Sequence, residues 1–376
     1  MKDQRKKIIK KARRVVVKVG SAVVLPVRGV QDKPVFDRLA PDIHDWKKKG
    51  KEFVIVSSGA IALGMERLSM KERPATIPER QAVAAVGQSA LMSSYEAAFS
   101  KYNEVVAQVL LTHDDFSDRK RFLNARNTLT TLLGYGMVPV INENDTVAVD
   151  EIKFGDNDRL SALTTNLVEA DLLVILTNVD GLYDKNPEKD SSAKKIAFVE
   201  DVDGIKPDWL TKGTSALGTG GIMSKCEAAK TAAHFGVPTV IAMGFSDEVL
   251  DGILEGADVG TFFLPKEDRL TSKKHWIAFS TRPSGRVFVD EGAKEALLKK
   301  GKSLLPSGIK DVDGAFDAGE VVHCVDLKGM EFARGVVNYS SMEIVKIKGI
   351  KTTEIVKTLG YKVYDEVIHR DNLVVM

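Results

Sequence analysis

Val15-Val16-Val17-Lys18-Val19-Gly20-Ser21 sets the frame for the whole chain. A half-exposed strand would alternate apolar and polar residues, whereas an almost unbroken valine run suits a parallel strand buried on both faces. Runs of the same kind recur at Phe53–Ser57, Val105–Leu111, Met137–Ile141, Leu172–Thr177 and Val237–Met243. Between the first two, Phe36, Leu39, Ile43 and Trp46 keep helical spacing, and Gly50 is placed to end that helix. Gln81–Phe99, Arg119–Leu133, Asp158–Glu169 and Met223–Phe235 also read as helices. This alternation predicts an α/β domain, with helices covering a mainly parallel sheet. Ligands of such sheets bind at the carboxyl ends of the strands.

Beyond about residue 265 the pattern changes. Short β-like pieces at Arg286–Val289, Val321–Val325, Gly335–Asn338 and Val363–Tyr364 are separated by turns such as Asp313-Gly314 and Lys328-Gly329. The expected division is a basic N-terminal extension at 1–14, an α/β domain at 15–270 and a small mostly-β module at 275–376. The charged stretch Pro265–Lys274 is the expected linker.

Of the 376 residues, 44% are apolar and 28% charged, the composition of a folded globular chain. The net charge of +2 is uneven: residues 1–14 carry +7 and residues 271–376 carry +3, leaving −8 on the remainder. An acidic body with a short basic tail is not the footprint of a general nucleic-acid binder. Cys226 and Cys324 are too few for a secreted disulfide framework or a zinc site, and the six histidines form no metal spacing. No apolar run approaches the ~18 residues that span a bilayer, and Val15–Val17 is too short for a signal-peptide core. The reading is a soluble, cytoplasmic protein with no membrane association.

Polar clusters stand where the strands end. Lys18-Val19-Gly20-Ser21 can set an ammonium and free backbone N–H groups beside a phosphate, or simply carry a lysine to solvent over a tight turn. Ser57-Ser58-Gly59-Ala60 lets a ligand approach the backbone at a helix N-terminus, or serves as an ordinary serine cap. Asn142-Glu143-Asn144-Asp145 and Gly155-Asp156-Asn157-Asp158 flank one short loop. Their amides and carboxylates suit an ammonium group, hydroxyls or hydrated Mg²⁺, as well as turn and cap chemistry. Leu172–Thr177 opens onto Asn178-Val179-Asp180-Gly181, which can line a nucleotide pocket or equally form a long turn. Gly218-Thr219-Gly220-Gly221-Ile222-Met223-Ser224-Lys225 offers backbone N–H groups and a second cation ahead of a helix, without the spacing of a Walker A loop.

Together VVVKVGS, VSSGAIALG, VPVINENDTV, KFGDNDRLSAL, LTNVDGLYDKNP and GTGGIMSK resemble, in order and spacing, the glutamate 5-kinase family of the amino acid kinase superfamily. GQSALM and RFLNARNTL look like that family too, and EGAKEALLKKGKSLLPSGI with DAGEVV looks like a PUA domain. The INEND–GDND pairing separates this family from carbamate, uridylate and aspartate kinases. N-acetylglutamate kinases would share the two lysines but not that pair or the β module. A departure is Asn178, where the family often has Asp.

The resemblance implies ATP-dependent phosphorylation of the L-glutamate side-chain carboxylate, the first step of proline biosynthesis. It implies Lys18 and Lys225 as transition-state cations oriented by Asp158. It implies Ser58, Asp145 and Asn157 as glutamate-binding residues, helped by Gly59 and Ala60, with Asn142 and Asp156 in the second rank. Nucleotide binding falls to Thr177, Asn178, Thr219, Gly220, Gly221, Ile222, Met223, Ser224 and Lys225. Mg²⁺ is expected to arrive with ATP, without a protein ligand of its own. Proline as feedback inhibitor and a homo-oligomer, dimer or tetramer, are implied as well. RNA binding by the PUA module finds little electrostatic support in a +3 region.

Overall fold

The central valines are buried because the strand they form has neighbours on both sides. In the computed structural model, which describes residues 2–25, 33–147, 156–187, 190–205, 221–266, 274, 277–278 and 283–376, β1 (Arg14–Val19) pairs in parallel with β2 (Glu52–Ser57) and β5 (Leu172–Thr177). The side chains of residues 119, 120 and 156 lie outside that description. Val15, Val16, Val17 and Val19 are fully enclosed.

The other strands of this sheet are β3 (Val106–Leu111), β4 (Val138–Glu143), β8 (Phe198–Val199), β9 (Thr239–Met243) and β10 (Thr261–Phe263). A small hairpin, β6 (Leu182–Tyr183) with β7 (Lys195–Ile196), stands apart from it. The eight-stranded order is β3-β4-β2-β1-β5-β9-β10-β8, and its single antiparallel pairing is β9 with β10. All six apolar runs are thus strands of one mainly parallel sheet, each within two residues of its expected ends. The carboxyl ends of β1, β2, β4 and β5 lie along one edge.

Helices are α1 (Lys2–Lys11), α2 (Ser21–Val24), α3 (Val35–Lys48), α4 (Ala60–Arg67), α5 (Ile77–Phe99), α6 (His113–Ser117), α7 (Arg119–Gly134), α8 (Asp156–Leu167), α9 (Ile222–His234) and α10 (Val249–Glu255). The basic start is helical and packed rather than a tail. α1 lies on α10, with Ile9 fully buried and Arg5 hydrogen-bonded to the Val259 carbonyl and paired to Asp258 at 3.3 Å. α5 begins four residues before its expected start because Thr76 and Glu79 form a reciprocal capping box with Pro78 in the first turn.

α4 and α5 cross with their backbones nearly touching. A Cβ on Gly87 would fall 1.7 Å from the Ala60 carbonyl oxygen, and one on Gly64 would fall 2.0 Å from that of Val83. Only glycine permits this approach, and it fixes the N-terminus of α4 beside the end of β2.

Residues Leu270–Met376 with Phe116–Asp118 make a second compact unit. Its sheet has the order β12 (Ile309–Asp313), β11 (Arg286–Val289), β13 (Val321–Val325), β14 (Glu331–Val336), β15 (Leu373–Val375). β11 and β13 run parallel, and the remaining pairs are antiparallel. Val287, Phe316, Tyr339 and Ile344 fill its core beneath α11 (Glu291–Lys300), α12 (Ser341–Ile347) and α13 (Ile355–Leu359). The strand expected at Gly335–Asn338 starts earlier, at Glu331, and Val363–Tyr364 forms no strand. Both of those side chains are exposed, so no buried face drives pairing there.

Candidate active site

Three ionised side chains meet at the carboxyl edge of the first sheet. Lys18 projects from the penultimate position of β1, Asp158 from the first turn of α8 and Lys225 from the first turn of α9. Lys18 Nζ lies 2.5 Å from Asp158 Oδ1, and Lys225 Nζ lies 3.3 Å from Asp158 Oδ2. Ser224 Oγ adds a hydrogen bond of 2.7 Å to Oδ2. Both lysines are only 5% exposed and Asp158 only 2%.

Charges so enclosed need partners. Burial pushes the Asp158 carboxyl upward, but the ammonium groups of Lys18 and Lys225 and hydrogen bonds from Lys18 and Ser224 outweigh it, holding Asp158 below the usual carboxylate range. Burial, with Lys18 adding to it, lowers Lys225 despite the pull of Asp158. Among the described side chains one carboxylate stands between these two ammonium groups, an arrangement suited to receiving an anion.

A second cluster adjoins the first through Asn157, the residue before Asp158. Asn157 Nδ2 donates to Ser58 Oγ and to Asn142 Oδ1, each at 3.0 Å. Asn142, 2% exposed at the end of β4, donates from Nδ2 to Gln88 Oε1 at 2.8 Å. Ser58 follows β2 directly and is held by its N–H on the Val19 carbonyl at 3.0 Å. Gly59 follows at φ +104°, where a Cβ would strike Val24 Cγ1 at 2.8 Å, and Ala60 opens α4.

Asp145 lies half-buried in the turn after β4, and Asp156 opens α8. Thr177, buried at the end of β5, bonds Asn178 at 3.3 Å. Gly221 is the N-cap of α9, followed by Ile222, Met223 and Ser224 in the first turn, whose N–H groups face an anion approaching that end. Thr219 and Gly220 lie outside the described residues.

Two contacts were not foreseen from sequence. Gln88 sits in a segment that drew notice only by resemblance, and nothing in its spacing on α5 points to Asn142, 54 residues away. Ser224, assigned above to the nucleotide alone, bonds Asp158. Cys226, next to Lys225, is buried and its thiol is pushed up to about 12, as suits a packed residue rather than a nucleophile.

Cations at the carboxyl edge of a parallel sheet, beside a glycine-capped helix, suit an anionic ligand, and residues 13–243 match the amino acid kinase family. Residues 285–359 match the PUA domain. A curated glutamate 5-kinase from Thermoanaerobacter sp. strain X514 is 51% identical over 363 residues, covering 96% of this chain and 98% of that protein. One from Geobacter sp. strain M21 is 50% identical over 376 residues, with coverage of 99% and 100%. One from Geobacter sulfurreducens is 49% identical over 369 residues, with coverage of 98% and 99%. The chain belongs to the glutamate 5-kinase family.

Proposed function

We propose that the two adjoining clusters divide one reaction between them: ATP-dependent phosphorylation of the L-glutamate side-chain carboxylate, giving L-glutamate 5-phosphate and ADP. Lys18 and Lys225 flank the transferring phosphoryl group, while Asp158 holds both ammonium groups in place between turnovers. A side-chain carboxylate with pKa ~4.3 is ionised at neutral pH, so its oxygen attacks the γ-phosphorus without a general base. The bond from phosphorus to the β,γ-bridging oxygen breaks, and ADP leaves with the electron pair. Charge spread over the phosphoryl oxygens is stabilised by the two lysines and the N-terminus of α9.

Ser58, Asp145 and Asn157 bind glutamate with backbone at Gly59 and Ala60, and Asn142 and Asp156 support them. Thr177, Asn178 and residues 219–225 line the nucleotide. Among the described residues no group of three or more His, Cys, Asp or Glu is placed to hold a metal. Mg²⁺ enters as part of MgATP, held mainly by phosphates and water. We further assign residues 15–270 to catalysis and the C-terminal unit to a separate role, in a cytoplasmic homo-oligomer inhibited by proline. Among the described residues no helix is long and apolar enough to cross a membrane.

The observation that carries this reading is the buried Lys18–Asp158–Lys225 triad. Trapping product with hydroxylamine tests it, since a hydroxamate that needs both ATP and L-glutamate reports the acyl phosphate. A folded Lys225→Ala enzyme should lose about a hundredfold in kcat, about 3 kcal/mol of barrier. Near-normal kcat in that variant would sink the assignment.

A further inference from the structure

The hydrogen-bond directions in the second cluster are fixed by one backbone group. The N–H of Glu143 donates to the side chain of Asn142 at 2.9 Å. A backbone N–H can only donate, so the Asn142 atom facing it must be the carbonyl oxygen. The Asn142 amide nitrogen must then face Gln88, and Gln88 must meet it with Oε1. Asn157, which faces that same Asn142 oxygen, must present its amide nitrogen, and the same nitrogen reaches Ser58 Oγ. Ser58 Oγ accepts there, so its own hydrogen is left to donate. Asn157 Oδ1 is turned the other way, and it is buried without a partner among the described residues, as is Gln88 Nε2.

A hydroxyl able to donate and a buried carbonyl able to accept suit the carboxylate and ammonium groups of an amino acid. We propose that Gln88 is a positioning residue for the glutamate half of the site: by accepting from Asn142 it anchors the side chain whose direction the Glu143 N–H selects, and so holds Asn157 and Ser58 in place for the substrate. This rests on the assignment of Asn157 and Ser58 to glutamate made above. Without the Gln88 oxygen, the Asn142 amide group is left with an unpaired donor. Asn142 is then held from one side only, by the Glu143 N–H and Asn157, and the placement of Asn157 against Ser58 loosens.

A double-mutant cycle on the full-length enzyme tests the relay. Gln88→Met, close in volume and unable to accept, should raise the glutamate KM about threefold to tenfold, the range of one neutral hydrogen bond. The ATP KM should stay near that of the unmodified enzyme, and the melting temperature should fall by no more than a few degrees, the cost of one unpaired donor. Asn142→Ala should raise the glutamate KM too, and adding Gln88→Met to it should change nothing further, because the relay is already cut. Gln88→Leu repeats the cycle if the methionine variant melts early. An unchanged KM in Gln88→Met, an effect that multiplies with Asn142→Ala, or an equal rise in both KM values would overturn the proposal. An active enzyme whose glutamate KM ignores Asn157→Ala would overturn the site assignment beneath it, an outcome distinct from a relay failure in which Asn157→Ala still weakens glutamate.

Discussion

Asp158→Asn is the sharpest single perturbation of this site, because it keeps the shape and removes only the charge. The unmodified carboxylate stands 2.5 Å from one ammonium and 3.3 Å from another at 2% exposure. Breaking a buried ion pair by removing one partner costs about 3–5 kcal/mol. The asparagine carbonyl can still accept from one lysine, which places the expected loss near the lower figure. At roughly 2–4 °C per kcal/mol for a domain of this size, the free enzyme should melt about 6–12 °C lower.

MgATP brings negative phosphates to the same ammonium groups, so it should raise the melting temperature of the variant more than that of the unmodified enzyme. Asp158 also opposes the lowering of Lys225. Its loss should therefore move the alkaline limb of the pH–kcat profile to lower pH, with kcat down at least about a hundredfold. The sign for acid is set as well. A carboxyl held low in the folded state stabilises above its unfolded-state pKa of ~3.9, and that contribution fades as pH falls through the depressed folded value. Thermal shift with and without MgATP, followed by the hydroxamate assay, measures all of this. A variant that melts within two degrees or so and keeps kcat within about threefold would refute the electrostatic account.

Three other outcomes are expected. Asp145→Ala should raise the KM for glutamate by at least about tenfold while leaving that for ATP within about twofold, since a charged hydrogen bond in a desolvated site is worth ~2–5 kcal/mol; equal effects would mean a collapsed loop. Asp42, raised to about 7 by burial and by Asp251, Glu248 and Asp45, makes folding less favourable as pH climbs from ~4 towards 7. Asp42→Asn should accordingly stabilise by about 1 kcal/mol at pH 8 after allowance for solvent screening, with the gain gone near pH 4 in denaturant melts. A chain ending near Lys274 should fold and yield hydroxamate; a monodisperse, folded but inactive product would show that the C-terminal unit takes part in catalysis.

What was legible in the sequence follows from how each piece is stabilised. Strands buried on both faces must be apolar at every position, so Val15–Val19 and Leu172–Thr177 announce themselves without neighbours. The polar residues at their carboxyl ends stood out because ligands of such sheets bind there, and the resemblance supplied their expected roles. α1 was not legible, because its buried face is small: Arg5 occupies one of its positions, supported by the Val259 carbonyl, Asp258 and the face of Phe262. The antiparallel turn of β10 against β9 also leaves no local mark. Val363–Tyr364 carried a β-like pair without a surface to bury it, and propensity without burial did not make a strand. Gln88 escaped for the opposite reason, being placed by tertiary contact alone.

Asn157 and Asp158 are consecutive residues, and under the proposed assignment that adjacency lets one helix serve both substrates. Neighbouring side chains on a helix diverge by about 100°, so two successive positions in a first turn can face different partners. Here Asn157 faces Ser58 and Asn142, while Asp158 faces Lys18 and Lys225. The separation between the proposed carboxylate nucleophile and the proposed phosphate is then set by the geometry of one helical turn rather than by two independent loops. Such rigidity matters because the reaction, as assigned, depends on in-line placement and needs no proton transfer. The first turn of α8 is anchored in turn by Ser161 Oγ on the Asp158 carbonyl at 2.6 Å and by the close packing of α8 on α9. A substitution that unwinds this turn should therefore impair glutamate and nucleotide together, whereas one confined to Asn157 or to Lys225 should impair its own half first.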